Sequence, residues 1–344
     1  MNPPRRSFLK LFGAAALSVP AQAFAQPIRI LPDGDAVKPA PIAGQTSPDL
    51  QRMLTWVAPG PTTSQGALST IWLEASEGSR RTAVEVLTLD EARAASALVV
   101  TEQPRASVPE LIADNRGKAY VLLLAGEILI GGKQNRVLRE DLLLPPLSGP
   151  RNIGVYCVEQ GRWNEGRKDF ESPSSVVQPS VRSEVIGKAP QSRIWSGVAA
   201  ASRDLRAPSP TGSYQAIYEK PEVRAHLDNA IRRLDPAGLP RAVGAAVFVG
   251  SQLAGIDCFD SPGLFAREWP KLLRAYALDA YGGASGWNET AGRRHVESLL
   301  QATARVEGSL RGNAGVGQLF EFGVRHSRGA ALVFERAVIH LTIL

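Results

Sequence analysis

The apolar positions of this chain fall mostly into short runs that alternate or stay continuous over four to nine residues, the pattern of strands. Residues 67–75, "ALSTIWLEA", and the run "ALVVTE" each predict a strand. "VPELIADNRGKAYVLLLAGEILIGG" predicts a strand, a turn at Asn115-Arg116-Gly117 and a second strand, and "RVLREDLLLPP" and "NIGVYCVEQ" add two more. Gly and Pro bound these runs, which suits a sandwich or small barrel, and no strand–helix–strand repeat suggests a doubly wound parallel sheet.

Helical signals begin with Thr88-Leu89-Asp90-Glu91, a capping box opening a short helix to about Ala95. After Trp163 the text turns polar, and residues 164–190 read as an insertion, a candidate lid. "QSRIWSGVAAASRDL" and "PEVRAHLDNAIRRLD" then predict helices. In the second, Val223, Leu227, Ala230, Ile231 and Leu234 share one face and Pro221 suits the first turn. "RAVGAAVFVGSQLAGIDCFD" predicts a hairpin turning at Gly250-Ser251-Gln252. A helix follows, capped by Ser261, bent at Pro270 and stopped at two glycines; "NETAGRRHVESLLQATARVEG" adds another. "QLFEFGV", "ALVF" and "VIHLTIL" close the chain as a meander. The expected fold is α+β: an antiparallel, β-rich sandwich or barrel-like core with helices grouped in the C-terminal half.

The first residues change the picture of where such a domain works. Arg5, Arg6 and Lys10 precede a weakly apolar stretch, Leu11 to Val19, and Ala23-Phe24-Ala25 is the small-x-small pattern that a signal peptidase cuts after. The run Arg5-Arg6-Ser7-Phe8-Leu9-Lys10 resembles a twin-arginine export signal, with Pro4 where Ser or Thr is usual. Residues 1–25 are therefore expected to be a signal peptide, 26–59 a Pro-rich tether, and 60–344 a single domain, periplasmic or secreted. The apolar stretch is too short for a spanning helix, so no membrane attachment is expected once the signal is removed.

The formal net charge is +6, and removing a signal with three cations and no acids leaves about +3. That is too little, and too scattered, to argue for nucleic acid. Cys157 and Cys258 could form one disulfide in an oxidising compartment, or be two buried thiols on separate strands. His226, His295, His326 and His340 show no metal-ligand spacing, and His340 reads as a core histidine. No metal and no cofactor is expected; there is no G-x-S-x-G elbow and no dinucleotide fingerprint.

Two stretches carry what chemistry there is. In "GEILIGGKQNR", residues 126–136, Gly131-Gly132-Lys133 is not a phosphate loop, because Gln134 stands where Ser or Thr is required and the next segment reads as strand. The glycines instead suit a tight turn, with Lys133, Gln134, Asn135 and Arg136 near it. Glu127 sits in an apolar setting where a carboxylate needs a partner, and Arg136 or Lys133 is the expected one. In "CVEQGRW", residues 157–163, Glu159 leaves a strand toward Gln160, Arg162 and Trp163, a pairing able to hold a planar or anionic group. The first cluster reads equally as an ion-pair brace or as a site. For the second the alternative is an exposed strand end with Trp163 packed on the core, and the closeness of the two motifs, with a polar insertion right after them, points to a site.

With "LLLAGEILIGGKQNRVL", "CVEQGRW", "GIDCFDSPGLF" and "VIHLTIL" in view, the chain resembles the ADP-ribosylglycohydrolase and rhodanese-phosphatase-superfamily-associated domain, ARPP-1, from about residue 60 to 344. The resemblance implies no settled activity, since the name records gene neighbourhood. Two functions stay open. One is a binding module for a small polar or anionic ligand or an envelope protein, held by Lys133, Gln134, Asn135, Arg136, Arg162 and Trp163. The other is a hydrolase or transferase on a sugar- or nucleotide-like, ADP-ribose-related substrate, with Glu127 or Glu159 as acid or base. A purely structural network is the third option.

Overall fold

The computed structural model describes residues 44–76, 84–105, 107–163 and 168–344. The expected export signal, most of the tether up to residue 43, and residues 164–167 of the polar insertion lie outside the described residues. Among the described residues are seventeen strands and eight helices, and the fold is α+β with a largely antiparallel, β-rich core.

The larger sheet has eight strands in the order β1 (Val57–Gln65), β2 (Leu68–Ala75), β12 (Ala242–Val249), β13 (Gln252–Phe259), β17 (Ala337–Ile343), β16 (Ser327–Phe334), β15 (Gln318–Val324) and β14 (Gly308–Arg311). Both faces are covered. Ile71, Leu73, Val243, Ile256, Cys258 and Leu341 point to one apolar layer, while Trp72, Ala245, Val247, Phe259 and Ile339 point to the other. That double burial explains why "STIWL" and "AVGAAVFV" read as nearly unbroken apolar runs.

The second sheet has six strands: β11 (Phe170–Glu171), β7 (Ile128–Gly131), β8 (Arg136–Leu138), β10 (Gly149–Cys157), β5 (Glu110–Asn115) and β4 (Leu98–Thr101). It curls until its edges meet. An isolated bridge joins Thr101 to Asp169, and the Glu102 amide donates to the Lys168 carbonyl at 2.8 Å. The result is a nearly closed small barrel filled by Leu98, Val100, Leu111, Ala113, Leu129, Leu138, Ile153, Val155 and Phe170. Three further strands, β3 (Val86–Thr88), β6 (Tyr120–Leu123) and β9 (Leu142–Leu144), form a separate small sheet whose β3–β6 pair is parallel.

Helices α1 (Pro48–Trp56) and α8 (Glu289–Thr303) cover one face of the large sheet. Between the large sheet and the barrel lie α3 (Pro179–Ile186), α4 (Gln191–Asp204), α5 (Gln215–Glu219), α6 (Pro221–Arg233) and α7 (Pro262–Asp279); α2 (Leu89–Ala94) sits on the barrel side. Helix α7 is buried nearly all round, with Trp269 edge-on to Trp72 at 5.2 Å. Ser261 caps its first turn as expected, and Pro270 is accommodated inside an unbroken 18-residue helix.

Local chemistry behaves as read at several points. Thr88 and Glu91 form the reciprocal capping box. Val249 pairs with Gln252 across a turn in which Gly250 has φ +57°, a left-handed value that suits glycine. Val223, Leu227 and Ala230 of α6 and Leu234 at its C-cap are buried, with Ile231 partly so.

Other expectations are corrected. Asn115-Arg116-Gly117 does not turn a hairpin: β5 and β6 belong to different sheets, and the Asn115 side chain spends its amide on the carbonyls of Ala119 and Pro145. Residues 48–56, placed in the tether, form α1, held by Ser47 as N-cap and by buried Leu50 and Met53. The insertion expected at 164–190 contains α3, whose Arg182 is 2% exposed, so this part is core rather than lid. Of the two readings of the cysteines the second holds: Cys157 on β10 and Cys258 on β13 are free buried thiols in different sheets. Burial pushes both thiols up, away from the reactive thiolate.

Candidate functional site

The turn after β7 is built around two glycines because nothing larger fits. A Cβ on Gly131 would run into the Asp169 backbone carbonyl, and one on Gly132 would enter the Phe170 ring and the Glu102 carboxylate. Both have positive φ, +134° and +47°. The amide of Lys133 then donates to Glu102 at 2.9 Å. Beyond the turn, β8 pairs with β10 so that Arg136 lies opposite Cys157, and this brings the two motifs side by side.

Glu159 and Arg162 tie them together. The Arg162 guanidinium donates to Glu159 (2.8 Å), to the carbonyls of Gly132 (2.9 Å) and Gly131 (3.1 Å), and to Asn135 Oδ1 (2.9 Å). Glu159 also accepts from the Asn135 amide (3.1 Å) and the Thr211 hydroxyl (2.7 Å). Burial alone would raise its carboxyl, but the hydrogen bonds from Arg162, Thr211 and the Asn135 amide outweigh it and hold Glu159 below its ordinary range. Asn135 reaches Ser213 at 3.1 Å, and Gln134 donates to the Glu159 carbonyl at 3.1 Å.

This cluster forms one wall of an open depression of about 690 Å³. Asn135 and Glu159 line it on the motif side. The loop between α4 and α5 supplies Arg206, Ser209, Thr211 and Ser213, and α5 with its C-cap supplies Gln215, Glu219 and Lys220. The lining mixes both charge signs with hydroxyls and amides, a surface suited to a polar ligand.

The other candidates lie elsewhere. Lys133 sits over the Trp163 ring at 5.0 Å, and Trp163 is among the few large apolar side chains exposed. Arg136 is fully buried: Nη1 donates to Gln134 (3.1 Å), Nη2 stands 3.8 Å from Glu102, and Nε and Nη2 have no hydrogen-bond partner. Burial lowers its guanidinium from the ordinary value.

Glu127 does not pair with Arg136 or Lys133. It sits just before β7, 1% exposed, against Lys271 of α7, and accepts the Leu124 amide at 2.7 Å. Lys271 also contacts Glu268 (2.8 Å) and Asp90 (3.2 Å). The turn carrying Glu127 continues into a second buried group. Asp141 accepts from the Ala125 amide (2.7 Å) and pairs with His340 Nδ1 (2.6 Å). His340 Nε2 meets Asp257 (3.0 Å), which also takes Arg182 (2.9 Å) and the Tyr276 hydroxyl (2.6 Å). Burial disfavours the His340 cation, yet Asp141 and Asp257 outweigh it and push His340 up to about 9. Among the described residues, no group of three His, Cys, Asp or Glu is arranged to hold a metal ion, and no helix is long and apolar enough to cross a membrane.

Reading the sequence singled out Glu159 and Asn135 on the depression, but missed Arg206, Thr211, Ser213 and Lys220. The segment of the first three, "RAPSPTGS", carries only turn signals, and Lys220 stands just before Pro221 of the next helix. It also missed Glu268 and Lys271. The signal available was an i,i+3 charge pair amid Trp269, Leu272 and Leu273, where charges are costly unless they meet partners.

A family model for ARPP-1, the ARG and Rhodanese-Phosphatase-superfamily-associated Protein domain, matches residues 57–344. No curated protein and no solved structure matches the chain. The match opens at the first residue of β1 and takes in every strand of all three sheets, so the chain belongs to the ARPP-1 family.

Proposed function

We propose that the protein is an exported binding module that takes a small polar or anionic ligand in the depression walled by Asn135 and Glu159. One observation carries the reading: two charged motifs, whose Asn135 and Glu159 are 24 residues apart, meet on one wall of an open depression whose size falls in the range of ligand pockets. Four of the five guanidinium N–H groups of Arg162 are spent inside the wall, so Arg162 shapes the site rather than gripping the ligand. Anionic groups would be met by Arg206 and Lys220, and hydroxyls by Glu219, Gln215 and Ser213. Among the described residues no aromatic ring lines the depression, so recognition by stacking on a nucleobase finds no support in them.

The test is a melt of the purified protein against ADP-ribose, nucleotides, sugar phosphates and peptidoglycan fragments. A ligand at about a hundred times its Kd adds roughly 2.7 kcal/mol. The reading expects a hit that disappears in Arg206→Ala or Glu219→Gln while the unliganded melt is unchanged. A hit that survives both would move the site elsewhere.

A hydrolase or transferase on a sugar- or nucleotide-like substrate is the second reading. It is favoured by two carboxylates, Glu159 and Glu219, on the same depression. Glu159, held ionised, suits a base and not an acid; Glu127 is closed off from the depression. Turnover lost in Glu159→Gln with ligand affinity retained would support it. Export through the twin-arginine route is part of the proposal. Replacing Arg5 and Arg6 together by Lys should leave the precursor in the cytoplasm, and undiminished export would exclude that route.

A further inference from the structure

Among the described residues, Lys271 is the one cation paired with three carboxylates, Glu127, Glu268 and Asp90. Glu127 (1% exposed) and Glu268 (0%) are closed off from water, while the Asp90 side chain is 30% exposed. Glu127 has a second donor in the Leu124 amide. Glu268 has none: neither of its oxygens accepts a geometrically sound hydrogen bond, and Lys271 stands beside it only as an ion pair. Of the neighbouring charges, the His340 cation favours an ionised Glu268, but less than Lys271 does and less than burial opposes it. Arg182 of α3 and His340 of β17 are taken up by Asp257 of β13 and Asp141, with Tyr276 of α7 donating to Asp257. Arg267 of α7 faces Glu91 of α2 at the surface. With every acid ionised, the Lys271 centre would hold two negative charges in excess with only Asp90 reaching water, an arrangement a protein interior does not sustain.

We propose that Glu127 and Glu268 hold one dissociable proton between them across Lys271, and that losing it releases a latch at Asp90. Asp90 is the only member of the centre that reaches the surface. It is also where the segment after β11 is clasped: Ser172 and Ser174 donate to its two oxygens at 2.5 and 3.0 Å. When the proton leaves, the cheapest relief of the excess charge is for Asp90 to swing from Lys271 into water, taking its hold on Ser172 and Ser174 with it. The clasped segment runs on to Val176, which bridges to Glu127, and to Ser175, which bonds Gln215 on the wall of the depression at 3.1 Å. The titration works in the alkaline range. Burial pushes Glu127 up to about 8, with Lys271 opposing and Glu268 and Asp90 adding to the rise; burial likewise raises Glu268. The latch does not depend on which ligand the depression takes.

Hydrogen exchange of residues 170–178, followed from pH 6 to 9 on the full chain and corrected for intrinsic exchange rates, tests this. Protection should fall about tenfold or more across the range. Glu268→Gln, which imitates the protonated acid permanently, should keep the segment protected at pH 9, whereas Asp90→Asn should leave it open at both ends. Equal, pH-independent protection in the wild type and Glu268→Gln would overturn the proposal. Should Glu268→Gln not fold, carboxyl-carbon NMR of the wild type decides. A glutamate titrating above pH 6 is expected, and all glutamates titrating in the ordinary range would refute it.

Discussion

At the scale of single residues, space decides more than charge. Gly132 has φ +47°, and a methyl there would collide with Phe170 and Glu102; Gly66 has φ +58° with nothing near. We expect Gly66→Ala to cost about 1 kcal/mol from backbone strain alone. Gly132→Ala should cost at least about 2 kcal/mol more, since overpacking adds to the strain. Urea unfolding of the pair checks this, and equal costs would show that the turn relaxes. Arg162→Ala removes charge-assisted hydrogen bonds to Glu159 and three wall oxygens, so we expect a loss of about 2–3 kcal/mol. The same variant should loosen the Gly131-Gly132 carbonyls, visible as faster exchange of the Lys133 amide.

At the scale of elements, α7 is where composition misleads. It carries Glu268 and Lys271 on a helix buried nearly all round; Lys271 is met there by Glu127 from the turn before β7, and Glu268 has Lys271 beside it. Lys271→Met should therefore destabilise by about 3–5 kcal/mol, as stranding buried charge does. Adding Glu268→Gln should recover part of that loss. A double-mutant cycle measures the coupling, and strict additivity would argue that the two groups do not interact. The elements themselves were legible wherever one local force dominates: the α2 capping box, the Ser261 cap and the β12–β13 turn. They were illegible where a distant partner sets the outcome. Nothing local in "VPELIADNRGKAYVLLL" separates a hairpin from two strands in different sheets, and Arg182 turned α3 from an apparent polar insertion into core only because Asp257 awaited it.

At the scale of the whole molecule, the buried charges predict an alkaline limit to stability. His340 is raised from 6.5 to about 9, so its contribution is fully present below about pH 6.5 and is lost as pH rises through about 9. Glu127, raised from 4.5 to about 8, acts in the same direction between those values. Burial would raise Asp257, but Arg182 and His340 hold it well below its ordinary range, so its contribution is lost only in strong acid. We expect the melting temperature to decline from pH 6.5 to 9, with a shallower slope in His340→Gln. A profile level across that window would mean the His340–Asp141–Asp257 group titrates as it does in the unfolded chain.

The amino-acid pattern by itself determined the β-rich α+β class, most strand and helix positions, the glycine turn of residues 126–136 and the family. These follow from short-range forces: periodicity, capping and backbone freedom act over a few residues and leave a local trace. Only the tertiary structure decided the partners of the charges. Which cation meets Glu127, which loop completes the depression beside Glu159, and whether Arg136 faces water or core depend on sheet curvature and helix placement. A carboxylate gains a partner through space, across 144 residues for Glu127 and Lys271, and leaves no mark of that distance in its own neighbourhood.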